Sequence, residues 1–236
     1  MVGVSSGHDE PATGDELIAA ATVILLRDSG TGPELLMVQR DRSLAFAGGA
    51  WVFPGGRVDP VDVELAGGDP VNAEIHAAVR ECAEEAGLAV GATDLVRWSH
   101  WTPPPQEQRR RFSTAFFVAP APDGEVVIDN GEIRGHRWTT AANAIELHRC
   151  GTIDLTPPTY ITLCQLLGHD DVGTILAQAT SRSIEHFATR IAIDGGDILA
   201  LYHGDAGYES GDPSAEGPRH RLIMRAGDWV YLRDAG

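Results

Sequence analysis

A single stretch, from Val71 to Ala86, most constrains the fold, because its residues follow the spacing of a helix with two different faces. One face is an apolar stripe at the i, i+3, i+4 spacing that a helix lying on a core requires, and it consists of Ile75, Ala78, Val79, Cys82 and Ala86. The other face carries three carboxylates within a sector roughly 100° wide, those of Glu81, Glu84 and Glu85. We therefore predict a helix with one face on the core and one face on a cleft.

The residues at both ends of this stretch are typical of helix termini. Asp69 is a favourable N-cap, and Pro70 suits the first helical position, where a backbone N–H would have no partner in the helix. Gly87 can adopt the left-handed conformation that closes many helices. We therefore expect the helix to begin after Asp69 and to end before Gly87.

The three carboxylates have two possible uses. Mg²⁺ prefers oxygen ligands and usually bridges one or two protein carboxylates to substrate phosphates. The alternative is a solvated acidic helix face, on which Arg80 and Glu84 form an ordinary i, i+4 ion pair. Helical spacing alone favours the solvated face, so the decision depends on the particular residue string.

That string resembles the signature of nudix hydrolases. Arg80 to Leu88 reads RECAEEAGL and fits the family pattern R-E-U-x-E-E-x-G-U, in which U is a bulky apolar residue. Cys82 stands in for a larger aliphatic residue, and FPGG from Phe53 is the usual lead-in. The resemblance implies an α/β fold, the nudix-type α/β/α sandwich, with a mixed sheet between helices.

The resemblance also implies roles for individual residues. Glu81, Glu84 and Glu85 would hold Mg²⁺ or Mn²⁺, Arg80 would orient a carboxylate, and water would attack one phosphorus of a pyrophosphate linkage in line. The proton acceptor stays open among Glu81, Glu84 and Glu132. The expected partner is a small-molecule nucleoside diphosphate derivative, and its binding residues are expected to include Arg40, Gly55, Gly56 and Arg111.

Two features depart from the family pattern. Arg80 follows Gly56 by 24 positions, whereas the family spacing is 14, so ten residues are inserted. The glutamate that usually lies eight positions before the arginine is Asn72 here, and Glu74, on the same face as Glu81, is a candidate to compensate. Because residues 58–70 contain turn-like clusters of Pro, Gly and Asp, we predict that the insertion is a loop.

Within the family, Leu36 to Gly56 partly resembles the signature of coenzyme A diphosphatases, L-L-T-x-R-[SA]-x3-R-x3-G-x3-F-P-G-G. Asp41 and Ala45 replace the small residue and the second arginine of that signature. The long insertion is similar to that of the peroxisomal-type coenzyme A diphosphatases. We rank coenzyme A or acyl-coenzyme A first as substrate, NADH or ADP-ribose second and oxidised nucleoside triphosphates third. A non-catalytic nudix-fold ligand sensor is the alternative from a different class.

Three consecutive arginines, Arg109 to Arg111, are the densest positive charge in the chain and precede a predicted strand. They are able to meet phosphates from a lid or ligand loop. A solvated charge run before a strand is the alternative interpretation, at least for two of the three.

The composition limits the partner and the location. A formal net charge of −16 argues against a nucleic-acid polymer, which needs a basic surface to displace counterions. No apolar run approaches the roughly 18 residues needed to span a bilayer, and no secretory signal is evident. The three cysteines have no metal or disulfide spacing, which favours reduced thiols and a cytoplasmic location.

We predict three segments along the chain. Residues 1–18 form a flexible tail, residues 19–149 the nudix domain, and residues 150–236 a C-terminal helical and β extension. The extension would complete the core, border the cleft or mediate formation of a homodimer. Strands are predicted at Ala20–Arg27, Glu34–Arg40, Glu125–Ile128 and Phe187–Ile193, among others.

Overall fold

The computed structural model describes residues 17–44, 47–105 and 111–234. Its strands are β1 (Leu17–Arg27), β2 (Glu34–Arg40), β3 (Trp51–Val52), β4 (Gly55–Arg57), β5 (Val96–Thr102), β6 (Arg111–Pro120), β7 (Ile133–Thr140), β8 (Glu185–Ala188), β9 (Arg190–Asp194), β10 (Asp197–Leu201), β11 (His220–Arg225) and β12 (Asp228–Arg233). Its helices are α1 (Pro60–Leu65), α2 (Pro70–Ala86), α3 (Ala141–Arg149), α4 (Pro157–Leu166) and α5 (Val172–Ser181).

The larger sheet is mixed, which confirms the predicted α/β class. Its path runs β3-β2-β1-β6-β5-β8, while β4 pairs with β1 and β7 pairs with β2. The central pair, β1 and β6, is parallel along ten residues, and β2 pairs with β1 only at Leu26 and Arg27. Because β1 and β2 diverge beyond that point, the short strands β3 and β4 lie between them, β3 paired with β2 and β4 paired with β1.

Helices cover both faces of this sheet, and the two faces pack differently. Where the sheet meets α2, small residues face one another, Ala21 and Ala115 from the sheet and Ala77 and Ala78 from the helix. The face toward α3, α4 and α5 buries aromatic residues, including Trp98, Trp101 and Phe187. Small side chains let α2 lie close to the sheet, which places its acidic face beside the β3–β4 connection.

The predicted ends of α2 are confirmed. Asp69 is the N-cap and accepts a hydrogen bond from the Asn72 N–H, Pro70 begins the helix, and Gly87 closes it with φ of 68°. Cys82 is fully buried on the apolar face, as its position in the stripe predicts.

Three local predictions are wrong. The stretch 58–70 is not a loop, because α1 forms within it, with Pro60 in its first turn and a capping box between Asp59 and Asp62. Residues 125–128 form no strand. The predicted strand Phe187–Ile193 breaks at Thr189 into β8 and β9, which belong to different sheets.

The C-terminal segment contributes to the larger sheet and also builds a second one. β8 pairs with β5 in parallel, so Phe187 enters the core and stacks on Trp101 with ring centroids 3.9 Å apart. The second sheet is antiparallel in the order β12-β11-β10-β9. Among the described residues, no helix is long and apolar enough to cross a membrane. The segment boundaries at 18 and 149 stay predictions.

Candidate active site

Gly55 and Gly56 bring the backbone against the acidic face of α2. The Gly55 N–H donates to Oε2 of Glu85 at 2.9 Å. A Cβ atom at Gly56 would collide with the carboxylate of Glu81, and one at Gly55 would collide with the backbone of β1. Gly55 therefore needs glycine, because the chain there passes too close to the backbone of β1 for any side chain. At Gly56, a side chain would displace the carboxylate of Glu81 from its present position.

The three glutamates of the helix lie in different environments. The side chains of Glu85 and Glu81 are 7% and 14% exposed, whereas that of Glu84 is 59% exposed. The helix thus directs two carboxylates into the protein beside the glycines and leaves the third at the rim. The predicted acidic face is present, with unequal burial across it.

Arg80 connects two of these glutamates to the inserted segment. Its Nη1 lies 2.9 Å from Oε1 of Glu81 and 3.0 Å from Oε2 of Glu84. On the other side of the guanidinium, Nη2 donates to Oδ2 of Asp62 at 2.9 Å and to the carbonyl of Arg57 at 3.0 Å. Arg80 therefore orients Glu81 and Glu84, while Asp62 holds Arg80.

Asp62 is a site residue that the sequence reasoning missed. It lies in α1, its side chain is only 1% exposed, and its Oδ2 also accepts the Asp59 N–H at 2.8 Å. Burial opposes its ionisation, but the hydrogen bonds from Arg80 lower its pKa below the usual range. A buried carboxylate that is fully paired in this way fixes the guanidinium in place.

The position of Asp62 corrects the placement of the insertion. Counting back from Arg80 identifies Asn72 as the replaced glutamate. Counting forward from Gly56 by the uninterrupted family spacing of six leads to Asp62. The ten additional residues therefore lie between Asp62 and Arg80, where they form the end of α1 and the first turns of α2. Counting forward from Gly56 is therefore the sequence signal that identifies Asp62.

Glu74 does not compensate for Asn72, contrary to the expectation. It pairs with Arg97 of β5, whose guanidinium also lies over the ring of Phe117. The pair is mostly buried and joins the first turns of α2 to the sheet. Glu74 thus anchors the helix, and Arg80 takes its partner from α1.

Arg40 and Glu132 form the opposite side of the cluster. Arg40, at the end of β2, places Nη1 3.6 Å from Oε1 of Glu85 and Nη2 3.3 Å from Oε2 of Glu132. The Glu132 side chain is 60% exposed, at the start of β7. The structure therefore brings together Arg40, Arg80 and four glutamates from separate parts of the sequence.

The negative charge of this cluster exceeds what its arginines balance. Burial raises the pKa of Glu85 to about 8, and the neighbouring Glu81 and Glu132 add to the shift against the opposing effects of the Gly55 N–H and Arg40. Burial also raises the pKa of Glu81, with added repulsion from Glu84 and Glu132. A group of buried, mutually repelling carboxylates is stabilised by a cation.

The donor set fits a hard divalent cation, although its side chains are turned toward other partners. Glu81 and Glu84 face Arg80, and Glu85 faces Gly55 and Arg40. In the described part of the chain, no three His, Cys, Asp or Glu side chains converge as a ready-made metal site. Carboxylate oxygens are the ligands that Mg²⁺ and Mn²⁺ prefer, so the chemistry fits and side-chain rotation would be needed to surround the ion.

The other predicted phosphate contacts are the consecutive arginines Arg109 to Arg111. Arg111 begins β6, pairs in register with Leu17 and donates to the carbonyl of Pro103 at 3.2 Å. Arg109 and Arg110 lie outside the described residues. Contact between these arginines and a substrate stays a prediction.

Comparison with known proteins places these features in context. The sequence model of the NUDIX domain family matches residues 16–155 of this chain. The acyl-coenzyme A diphosphatase NUDT19 of Xenopus laevis is 30% identical over 140 residues, which cover 55% of this chain and 36% of that protein. The protein of the same name from Gallus gallus is 30% identical over 135 residues, covering 53% and 35%. The chain therefore matches only about a third of the length of these relatives.

Among solved structures, a NUDIX hydrolase from Alicyclobacillus acidocaldarius superposes with a TM-score of 0.63 at 24% identity. The match covers 72% of this chain and 98% of that one. At this identity the likeness concerns the fold, and it agrees with the mixed sheet between helices described above.

Proposed function

This chain belongs to the NUDIX family, and on that premise we propose that it is a divalent-metal-dependent hydrolase of a diphosphate linkage in a nucleoside diphosphate derivative. The observation that carries the proposal is the burial of Glu81 and Glu85 against the Gly55–Gly56 backbone, with Glu84 at the rim. Carboxylates packed this closely, with raised pKa values, are typical of functional sites.

The residues of the cluster have different proposed roles. Glu81, Glu84 and Glu85 would hold Mg²⁺ or Mn²⁺, which supplies charge neutralisation for the diphosphate and lowers the pKa of water. Arg80 keeps Glu81 and Glu84 oriented, and Asp62 keeps Arg80 in place. Proton transfer from the attacking water falls to Glu81, Glu84 or Glu132.

For the substrate, we propose coenzyme A or an acyl-coenzyme A. The support is the partial coenzyme A diphosphatase signature from Leu36 to Gly56 and the 30% identity to proteins named acyl-coenzyme A diphosphatase. Arg40 belongs to that signature, and it lies between Glu85 and Glu132, where a phosphate would approach the metal ligands. NADH and ADP-ribose come next in the ranking.

A substrate panel with and without divalent metal tests the proposal. Coenzyme A, acyl-coenzyme A, NADH, ADP-ribose and oxidised nucleoside triphosphates are incubated with Mg²⁺, with Mn²⁺ or with a chelator, and the products are separated by chromatography. Coenzyme A should yield 3′,5′-ADP and 4′-phosphopantetheine only when metal is present. Intact coenzyme A beside rapid ADP-ribose cleavage would overturn the ranking, and binding without any turnover would favour a ligand sensor.

A further inference from the structure

Strand β9 is an end strand of the C-terminal sheet, and its outer side exposes apolar residues. Among the strands in the described part of the chain, β9 pairs with β10 alone, and it carries the sequence Arg190, Ile191, Ala192, Ile193, Asp194. Ile191 is 39% exposed and Ile193 is 70% exposed. Exposed end strands are templates for pairing with another strand unless charges, proline or a covering element block them.

The two isoleucines of β9 direct their backbone hydrogen-bonding groups away from β10. The hairpin to β10 closes through Gly195 and Gly196, so Asp194 and Asp197 form the first hydrogen-bonded pair. Hydrogen-bonded and non-hydrogen-bonded pairs alternate along an antiparallel ladder. The N–H and C=O groups of Ile191 and Ile193 therefore point away from β10, toward the open side.

The sequence of β9 is complementary to itself in the antiparallel direction. If two copies pair about Ala192, Arg190 of each faces Asp194 of the other, and Ile191 of each faces Ile193 of the other. Opposite charges would then face one another across the ladder, and so would branched apolar side chains, which are the favourable cross-strand pairs. Arg190 also donates to the Glu209 carbonyl and lies over the Tyr208 ring of its own chain, and these contacts hold its guanidinium beside the strand. The same register uses the outward backbone groups of both isoleucines.

A neighbouring isoleucine widens the apolar strip. Ile198 of β10 pairs in register with Ile193, lies on the same face and is 48% exposed. In the paired arrangement, Ile198 and Ile193 of one copy and Ile191 of the other form a continuous row on one face. The two-fold symmetry of the dimer produces a second, equivalent row. Pairing would bury these side chains and join the two four-stranded sheets into one continuous sheet.

We propose that this chain forms a two-fold symmetric homodimer through antiparallel pairing of β9 with β9 of a second copy. The occupant of the open edge is a second copy because the edge residues match themselves in both charge and apolar character. This inference is independent of the proposed hydrolase activity, since β9 lies in the C-terminal sheet and none of its residues belongs to the acidic cluster.

Sedimentation equilibrium of the 236-residue chain tests the dimer, together with Ile193→Asp and a matched control, Ile184→Asp. Ile184 is also exposed, at 40%, but precedes β8 and lies outside the strip. The wild type and the control should be dimers, and Ile193→Asp should raise the dimer dissociation constant at least about tenfold. A monomeric wild type, or a dimer that Ile193→Asp leaves unchanged, would overturn the proposal.

A charge exchange tests the register and does not depend on Ile193→Asp. Arg190→Asp alone and Asp194→Arg alone each place like charges opposite one another and should weaken the homodimer about tenfold. An equimolar mixture of the two variants should recover dimers, because every facing pair is then opposite in charge. Circular dichroism establishes that each variant is folded, and absence of recovery in the mixture would contradict this register.

Discussion

In the described part of the chain, one network of carboxylates and guanidiniums beside the C-terminal sheet and another beside α2 are balanced in opposite ways. Beside the C-terminal sheet, Asp205 of the loop after β10 and Arg221 of β11 form a bidentate pair at 2.6 and 2.7 Å, with side chains 0% and 5% exposed. The remaining capacity of Asp205 is used by the N–H groups of Gly207 and His220. In the acidic cluster beside α2, Arg40 and Arg80 are shared by four glutamates, Glu81, Glu84, Glu85 and Glu132.

The pKa shifts record this difference. Burial opposes the ionisation of Asp205, but the hydrogen bonds from Arg221 prevail and lower its pKa, whereas burial and neighbouring glutamates raise that of Glu85 to about 8. In the first network, both carboxylate oxygens of Asp205 accept hydrogen bonds from within the chain, so the network stabilises the fold. The second keeps an excess of negative charge, which a cation would offset if the proposed metal site is correct.

The largest effect is expected from removing Arg221, the partner of the buried Asp205. Arg221→Met leaves Asp205 buried without its partner and should lower the free energy of unfolding by about 3 to 5 kcal/mol. Chemical denaturation measures the loss. Turnover per folded molecule should stay near that of the wild type, and a selective loss of turnover in a stable variant would show that the two networks are not separate.

The next effect concerns activity instead of stability. Glu84→Gln and Glu85→Gln remove charge from the acidic cluster without removing volume, so each should lower turnover on the order of a hundredfold or more. The free energy of unfolding should be unchanged or slightly higher, because repulsion among the carboxylates decreases. Near-wild-type hydrolysis by both variants would reject their role in metal binding.

A smaller effect should come from the residue that links α1 to the site. Asp62→Asn weakens the hold on Arg80 and should lower kcat about tenfold, with a modest loss of stability. Asp59→Asn is the matched control, because Asp59 is more exposed and its Oδ2 lies 3.9 Å from Arg80. Equal kinetic effects of the two variants would contradict the special position of Asp62.

A further effect is the pH dependence of stability in the chelated, metal-free protein. Because the pKa of Glu85 is about 8 in the folded state and near 4.5 when unfolded, the folded state binds more protons between these values. The contribution of Glu85 to the free energy of unfolding therefore falls as pH rises from about 5 to 8. Denaturation curves of Glu85→Gln across that range should lack this part of the decline, and an identical decline would contradict the shift.

The two networks also differ in how well the sequence predicts them. Helical spacing and the RECAEEAGL string located α2, its caps and its three glutamates, because those features are local. The contact between Arg80 and Asp62 spans an insertion and depends on where α1 folds back, so counting from one end of the pattern misplaced it. The pairing of Asp205 with Arg221 follows from the fold of the loop at 203–219 and had no sequence pattern to indicate it.

Other failures have a similar physical origin. A single apolar run predicted one strand over Phe187–Ile193, but alternation cannot reveal that Thr189 redirects the chain from one sheet to another. Glu74 lies on the acidic side of the helical wheel, yet it pairs with the half-buried Arg97 of β5. Tertiary contacts, which the sequence pattern does not contain, decide these cases.

Calorimetric titration of Mn²⁺ or Mg²⁺ into the protein, with and without a nucleoside diphosphate, tests the central claim most directly. The wild type should take up the cation, and Glu85→Gln should bind it at least about tenfold more weakly while keeping its fold. Absence of cation uptake by the wild type even with nucleotide present, or equal uptake by Glu85→Gln, would contradict the account.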